Sequence, residues 1–410
     1  MIHSEKLYSV KNIILILMIC STQIEKLFHI CLILEVLYIF FSGYDYVVNG
    51  LRNNQKEIAL AKHISIVWLF LAFYVTFITI IYPSVYTGVS DAFFKWVRNI
   101  IIFFLVIKDT LNNPRLFPYI TVSYMLTSLT CSVLIMNGIG LGVDISTPDD
   151  LGNSRLSFFG INANKLAISY IYSMAILFFL FDESKNSSKF NRTLIFLFVF
   201  ISAVSFLYVL SLLASRGSII LLFLFGGYYF LLYGKKVSLV RRLILILIGF
   251  VAASYTYNYL FSSDILSKRI EASVEDGNYG GRDLLLLNAI NIFTESPIFG
   301  VGLNEVRYRN YLSIGVPVTT HNYITYILSG GGLIGFILLI RILYILFKNA
   351  LWPSYKNQYL ISVLFFITAF VDMNKTGACI IYIGNYIFLA LAYSYTRFKL
   401  NLSLNNKHIQ

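Results

Sequence analysis

The chain has 410 residues, of which 58% are hydrophobic and 13% are charged, and its mean hydropathy is +0.73. Soluble domains contain about half apolar and about a quarter charged residues, so this composition excludes an ordinary soluble globular domain. The net charge of +12 does not indicate nucleic acid as a partner, because the basic residues lie between apolar runs and form no continuous patch.

Long apolar runs predict about twelve transmembrane helices, since each helix needs about 20 mostly apolar residues. A β-barrel is excluded because it would show alternating segments of about 10 residues. We therefore expect an all-α, polytopic integral membrane protein whose residues 1–410 form a single domain surrounded by membrane lipids. The predicted spans are 9–22, 27–48, 62–82, 93–107, 116–137, 165–182, 193–212, 217–233, 243–261, 321–347, 357–373 and 377–396.

Basic residues in alternate short loops orient these spans, because cytoplasmic loops carry an excess of Lys and Arg. The loops near 185–192 and 235–242 contain both residues, and the loop near 348–356 contains Lys348 and Lys356. We therefore place these loops and both termini in the cytoplasm. The opposite face then carries two longer loops, at about 138–164 and about 262–320, of which the second is the large extracytoplasmic loop.

Arg216 lies in a very short turn on the outer face, where the topology disfavours positive charge. Its guanidinium could bind an anion at the membrane surface, since it offers two parallel donors to phosphate oxygens. It could equally extend to lipid headgroups. Topology alone favours neither interpretation.

Arg282 directly precedes the apolar run 284–293, which is too short to span and predicts a helix in or near the membrane interface. Arg282 would then lie at the N-terminal end of this helix, beside backbone N–H groups suited to anions. A solvated arginine paired with Asp283 is the interpretation that the residues alone favour.

His321 follows two threonines where the large outer loop re-enters the membrane. Thr319 or Thr320 is expected to cap the helix and to leave His321 in its first turn. Histidine, with an ordinary pKa near 6.5, is the side chain best suited to accept or donate a proton near neutral pH. A lone histidine at a helix start is nevertheless more often structural than catalytic.

The remaining polar and glycine motifs have structural interpretations. The other histidines and the four cysteines form no metal-ligand cluster, so we predict neither a metal nor a cofactor. Gly300 and Gly302 predict a tight turn that packs the outer loop onto the helices, and the glycines at 330–332 predict close helix packing. Glu35 lies within a predicted span with no evident partner.

From about residue 150 to about residue 345, the order of motifs resembles the family of O-antigen ligases and O-antigen polymerases. The motifs are Arg155-Leu156-Ser157-Phe158-Phe159-Gly160, Asn162-Ala163-Asn164-Lys165-Leu166-Ala167, Ser215-Arg216-Gly217, Gly281-Arg282, Glu295-Ser296-Pro297-Ile298-Phe299-Gly300-Val301-Gly302, His321-Asn322-Tyr323 and Gly332-Leu333-Ile334-Gly335. One departure is that many relatives carry an acidic residue just before the final Gly-x-x-Gly, where this chain has Ser329 and Gly330.

The resemblance implies a metal-independent glycosyltransferase of the bacterial inner membrane with its active site on the periplasmic face. The donor would be a glycan linked to undecaprenyl diphosphate, and the acceptor would be a glycan hydroxyl. Arg216, Arg282 and His321 correspond to the family's functional set. We also predict a further group of residues to bind substrate, namely Arg155, Arg307, Arg309, Asn322 and Tyr323.

Three functions stay open at this point. The His-Asn-Tyr pattern and the high aromatic content, with 30 Tyr and 35 Phe, favour a polymerase of surface polysaccharide over a ligase that transfers finished polymer to lipid A core. A flippase for lipid-linked oligosaccharides would call for inverted repeats, broken helices and ionisable groups at mid-membrane. Whether a chain-length regulator is a partner is left open.

Overall fold

A computed structural model of the protein describes residues 10–24, 28–49, 55–82, 84–85, 89–144, 155–184, 188–213, 215–229, 282–315, 317–375, 380 and 382–407. This part of the chain is about 85% helical, as expected for an all-α membrane protein. The helices are α1 (Val10–Ser21), α2 (Phe28–Asn49), α3 (Gln55–Ile81), α4 (Val89–Asn112), α5 (Leu116–Met136), α6 (Ala163–Glu183), α7 (Lys189–Leu212), α8 (Arg216–Gly227), α9 (Arg282–Glu295), α10 (Leu303–Ile314), α11 (Tyr323–Leu346), α12 (Trp352–Lys356), α13 (Leu360–Met373) and α14 (Ile383–Lys407). Between α5 and α6, the antiparallel strands β1 (Leu141–Asp144) and β2 (Arg155–Phe158) form a short hairpin.

Six helical segments in the described part of the chain are long and apolar enough to cross a membrane. They are His29–Val48, Gln55–Ile81, Leu116–Met136, Ala163–Glu183, Lys189–Leu212 and Tyr323–Lys356. The predicted number of twelve spans is therefore not confirmed. Helices α1 and α13 are apolar but short, and the predicted span 243–261 lies outside the described residues.

The chain forms two compact units. The first comprises Met1–Leu34, Pro118–Asn278 and Ser354–Thr368, and the second comprises Glu35–Phe117, Tyr279–Pro353 and Ala369–Gln410. The single domain expected from the sequence stays a prediction.

In the first unit, small polar side chains join α1, α5 and α6. The Ser128 hydroxyl donates to Gln23 Oε1 at 2.8 Å and lies 2.5 Å from the Ser173 hydroxyl. The Gln23 amide nitrogen in turn donates to the Tyr124 carbonyl at 2.9 Å. Small hydroxyl residues let helices approach closely, and their hydrogen bonds satisfy polar groups that lipid cannot.

In the second unit, α3, α11 and α14 meet around Trp68. Its ring lies 4.8 Å from that of Tyr386 on α14, and its indole nitrogen donates to the Tyr323 hydroxyl of α11 at 3.2 Å. Trp68 is almost completely buried. This aromatic cluster therefore anchors the first residue of α11 inside the helix bundle.

Helix α4 extends beyond its predicted C-terminal end because the charged residues there are paired. The sequence predicts a span at 93–107, whereas the helix runs from Val89 to Asn112. Near its end, Lys108 lies 3.3 Å from both Asp109 and Asp45 of α2. The side chains of Lys108 and Asp109 are 1% and 2% exposed. The helix continues through these buried charged residues because each has an oppositely charged partner.

Glu35 has a partner that the sequence does not reveal. On α2, its carboxylate lies 2.8 Å from the Arg98 guanidinium of α4, and its side chain is only 4% exposed. A buried carboxylate and a buried guanidinium each offset the other's charge. The pair therefore joins α2 to α4 in the same way as the cluster around Lys108.

Helix α11 is broken at Gly332, whose φ of 61° and ψ of −161° are not helical. The residues 297–302, here called the glycine loop, fill the break. The N–H groups of Val301 and Gly302 donate to the carbonyls of Ser329 and Gly330 at 3.2 and 2.8 Å, at the end of the first half of α11. The loop thus satisfies carbonyls that the broken helix leaves without helical partners.

The glycine loop also serves the second half of α11. Leu333 N–H donates to the Pro297 carbonyl at 2.8 Å, and Ile334 N–H donates to the Ile298 carbonyl at 3.3 Å. The loop therefore satisfies both sides of the break. The expected packing role of the loop is confirmed, but the glycines at 330–332 break a helix as well as pack it.

Side chains are excluded from this junction. A Cβ added to Gly300 would lie 2.5 Å from the Gly330 backbone, and one added to Gly302 would lie 2.6 Å from Thr79 Cα of α3. Both residues have positive φ, which disfavours other residues independently of space. The glycine loop is therefore fixed against α3 and α11 together.

The second half of α11 runs antiparallel to α3. The glycine loop meets Thr79, near the end of α3. At the other extremity, Tyr393 of α14 donates to the Glu57 carbonyl near the start of α3 at 3.2 Å, and Arg397 of α14 donates to Asn349, just after α11, at 2.9 Å. This direction agrees with the alternation of spans expected from the sequence.

Candidate functional site

Arg282 is the first described residue of α9. The helix extends from Arg282 to Glu295 and buries Leu285, Ala289 and Ile292 on one side. Leucines on its other sides, including Leu284 and Leu287, are exposed. Arg282 is itself exposed. The guanidinium therefore accompanies an exposed apolar helix surface, a combination suited to an anion attached to lipid.

His321 precedes α11 instead of lying in its first turn. The helix begins at Tyr323, and its N-cap is Asn322, whose side-chain oxygen accepts the Thr325 N–H at 3.1 Å. The expected cap by Thr319 or Thr320 is therefore wrong, because the side chain of Asn322 caps the helix instead.

The backbone of His321 is left-handed, with φ of 54°. Few residues other than glycine, asparagine and aspartate adopt this conformation readily. Nearby, the Thr320 hydroxyl donates to the Asn322 carbonyl at 2.8 Å, and the Thr325 hydroxyl donates to Thr320 at 3.2 Å. A strained backbone held by its neighbours is a frequent property of functional sites.

The pKa of His321 is lowered from 6.5 to about 4, first by burial and second by the positive charge of Arg282. Both effects disfavour the protonated imidazole. His321 is therefore neutral at neutral pH, and its pKa is not the near-6.5 value expected from the sequence. Arg282 and His321 thus act on each other electrostatically within the second unit.

Asn322 and Tyr323, both predicted to bind substrate, have structural contacts here. Asn322 caps α11, as described, and Tyr323 is 2% exposed, with its hydroxyl accepting the Trp68 N–H. Beside them, Asn374 at the end of α13 accepts the Ile324 N–H at 3.4 Å. Two asparagines therefore occupy donors at the start of α11, and substrate binding by Asn322 and Tyr323 stays a prediction.

Arg307 and Arg309 lie on α10. The Arg307 guanidinium donates twice to the Pro317 carbonyl, at 3.3 and 3.2 Å, and so holds the segment that leads to His321. Arg309 bonds Glu305 at 2.9 Å and also pairs with Glu295 of α9. Both guanidinium groups therefore join elements of the second unit, and their predicted role in substrate binding stays a prediction.

Arg216 and Arg155 belong to the first unit. Arg216 is the first residue of α8, and Arg155 lies opposite Asp144 in the hairpin register. The Ser215 hydroxyl, directly before Arg216, donates to Asn164 Oδ1 at 3.3 Å. Two motifs that are about fifty residues apart in sequence, around Asn164 and Ser215, are thus in contact.

Sequence patterns did not reveal the buried amides that support the site. Asn310 on α10 is fully buried and bonds both Asn288 of α9 and the carbonyl of Val318. Asn374 likewise accepts a hydrogen bond from Ile324 of α11, which is 50 residues away in sequence. An asparagine in a helix carries no local signal for such a contact, because its partner is set by tertiary packing.

These features define a multi-pass, all-α membrane protein with an arginine and a neutral histidine at adjoining helix starts. Among the described residues, no group of three or more His, Cys, Asp or Glu side chains could hold a metal ion. Residues 201–340 match the family model described as O-antigen ligase. The match covers 140 of the 410 residues. No match to a curated protein was found for the chain.

The matched segment contains all three residues of the predicted functional set, Arg216, Arg282 and His321. Their catalytic roles stay predictions.

Proposed function

We propose that the protein is a polymerase of O-antigen or a related surface polysaccharide. It transfers a glycan from undecaprenyl diphosphate to an acceptor sugar hydroxyl on the periplasmic face of the inner membrane, without a metal. The observation that carries this proposal is the match of residues 201–340 to the O-antigen ligase model, in a segment where Arg282 acts electrostatically on the partly buried His321. One group can accept a proton while the other stabilises an anion.

The proposed reaction exchanges one C–O bond for another. The acceptor oxygen forms a bond to the anomeric carbon of the donor, and the bond from that carbon to the diphosphate oxygen breaks. The electron pair leaves with undecaprenyl diphosphate, whose growing charge Arg282 stabilises. The proton of the acceptor hydroxyl passes to His321.

Donor binding would make His321 a stronger base. In the absence of substrate, burial and the charge of Arg282 lower its pKa to about 4, which gives little driving force for proton transfer near neutral pH. A diphosphate bound at Arg282 offsets that charge and raises the pKa of His321. Proton acceptance is thereby linked to the presence of the donor.

A ligase is the second candidate, because the matched family model is described by that activity. Both enzymes use the same donor chemistry, and they differ in the acceptor. The polymerase is preferred here for the resemblance of the His-Asn-Tyr pattern and for the aromatic content of the chain.

A flippase has less support. Helix α11 is broken, as in many transporters, but transporters use the exposed ends of half-helices to hold substrate. Here the carbonyls of Ser329 and Gly330 and the N–H groups of Leu333 and Ile334 are bonded to the glycine loop. The break therefore supports docking of the loop more than a transport site.

Glycan analysis of a deletion strain complemented with variants tests the proposal. Arg282→Ala should abolish polymer and leave single repeat units on the lipid A core, and Arg282→Lys should restore little because lysine lacks the planar fork. Arg192→Lys on α7, an exposed site, is the matched control and should retain polymer. Complete polymer stranded on the carrier lipid would instead indicate the ligase, and full activity of Arg282→Lys would rule out the bidentate role.

A further inference from the structure

Asn310 on α10 connects two segments that belong to the candidate site. Its amide nitrogen donates to the Val318 carbonyl at 2.9 Å, and its amide oxygen accepts from the Asn288 amide nitrogen at 2.6 Å. The side chain of Asn310 is 0% exposed. Water therefore cannot reach the Asn310 side of either bond, and breaking either leaves a buried polar atom of Asn310 without its partner.

The orientation of this amide follows from its partners. A backbone carbonyl can only accept, so the Val318 oxygen must face the nitrogen of Asn310. The oxygen of Asn310 then faces α9, where the Asn288 amide supplies a donor. An aspartate or a leucine at this position could not make both bonds. Asparagine is thus matched to a place between one donor and one acceptor.

Each end of this connection leads to a residue of the proposed reaction. Asn288 lies on α9 fewer than two turns after Arg282. Val318 lies three residues before His321, in the segment that Arg307 also holds through the Pro317 carbonyl. The described contacts therefore run from the helix that begins with Arg282, through Asn310, to the segment that carries His321.

We propose that Asn310 is a positioning residue that fixes the separation between Arg282 and His321. The proposal rests on the function proposed above, in which these two groups act together on one donor. Catalytic groups must be held within a fraction of an ångström, and a displacement of about 1 Å can lower turnover about 10²-fold. A buried amide bonded on both sides restricts such displacement.

The test uses the full chain reconstituted in lipid, with lipid-diphosphate glycan as donor. Asn310→Ala removes both bonds, whereas Asn288→Ala removes only the bond to α9 and leaves Val318 held. Asn291→Ala is the control, because Asn291 is exposed on the same helix. We expect kcat to fall by about 10- to 100-fold in Asn310→Ala and by a smaller factor in Asn288→Ala, with smaller changes in the donor KM and no change in the control.

A second readout separates positioning from general loss of structure. The pKa of His321, followed by NMR of the labelled imidazole, should rise from about 4 in both variants as the charge of Arg282 moves away, and stay unchanged in Asn291→Ala. If Asn310→Ala does not fold, Asn288→Ala decides alone. Turnover and an imidazole pKa equal to those of the control would overturn the proposal.

Failure of the proposed function gives a different result. Absence of glycan transfer by the unmodified protein would contradict the polymerase, whereas the imidazole titration would still report whether Asn310 sets the electrostatic contact between Arg282 and His321.

Discussion

Two regions of the second unit differ in how their charged side chains are arranged. Between α2 and α4, Glu35 pairs with Arg98 at 2.8 Å, and Lys108 lies between Asp45 and Asp109 at 3.3 Å from each. Just before α11, by contrast, the pKa of His321 is lowered first by burial and second by the positive charge of Arg282, so the imidazole is neutral. The first region brings opposite charges together, and the second brings together two groups that would repel if both were charged.

The first region uses opposite charges to hold two helices together, whereas the second contains the two groups that we propose act on the donor. Opposite charges offset each other's burial, so the α2–α4 region is complete without any other molecule. The Arg282–His321 region becomes more favourable when an anion is added, because an anion offsets the cation and permits protonation of the imidazole. Substitutions should therefore affect stability in one region and turnover in the other.

The largest effect is expected for His321→Asn. Asparagine tolerates the left-handed backbone of this position, so the variant should fold, but turnover should fall by roughly 10²–10⁴-fold on loss of a positioned base. The measurement is glycan transfer by purified protein in lipid, with thermal unfolding as the control. If the variant retains most of its activity, His321 is not the base and has only a structural role before α11.

The pH profile of the unmodified protein sharpens this test. A base acts in its neutral form, so its contribution is present above its pKa and is lost as the pH falls through that value. For the free protein, kcat/KM should therefore fall only through about pH 4. The limb of kcat, which reports the complex with donor, should lie at higher pH because the diphosphate offsets Arg282. If kcat and kcat/KM fall through the same pH, the proposed link between donor binding and the pKa of His321 is wrong.

The next effect concerns stability. Glu35→Ala should destabilise the protein by about 3–5 kcal/mol, because it leaves the Arg98 guanidinium buried without its carboxylate. Replacing both residues, as in Glu35→Leu with Arg98→Met, should recover most of this loss. Thermal unfolding in detergent is the measurement, and Lys56→Ala, at an exposed position, is the control. Equal destabilisation by the single and double variants would show that the ion pair is not the cause.

The smallest effect is expected for Arg282→Leu on the titration of His321. Removal of the positive charge favours the protonated imidazole, so the pKa of His321 should rise from about 4. Burial is the larger of the two causes, so less than half of the depression should be lost. NMR of the labelled imidazole measures the change, which should be absent in Arg192→Lys. If the pKa of His321 does not rise in this variant, the charge of Arg282 does not act on His321.

Local patterns in the sequence were adequate for some of the helices. The run 284–293 predicted a helix that begins near Arg282, and α9 has that start. Local patterns were less adequate for α4, where charged residues at both ends indicated loops. Lys108 and Asp109 lie within the helix because their partners come from α2. Pairing of this kind between distant segments has no signature in a single sequence.

The site shows the same limit. The sequence drew attention to Arg282 and His321 because each stands next to an apolar run. It did not indicate the cap at Asn322, because Thr319 and Thr320 are also good capping residues. It could not indicate the break at Gly332 either, since this backbone conformation depends on hydrogen bonds from the glycine loop, thirty residues earlier.

That order along the chain bears on biosynthesis. Chains emerge and fold from the N-terminus during translation, so the glycine loop leaves the ribosome before the break in α11 that it satisfies. When Gly332 is inserted, the donors and acceptors for its neighbours already exist, and no broken helix has to wait in hydrocarbon with bare carbonyls. The reverse order, with the loop encoded downstream, would leave the helix break unsupported during the interval in which the rest of the segment is being made.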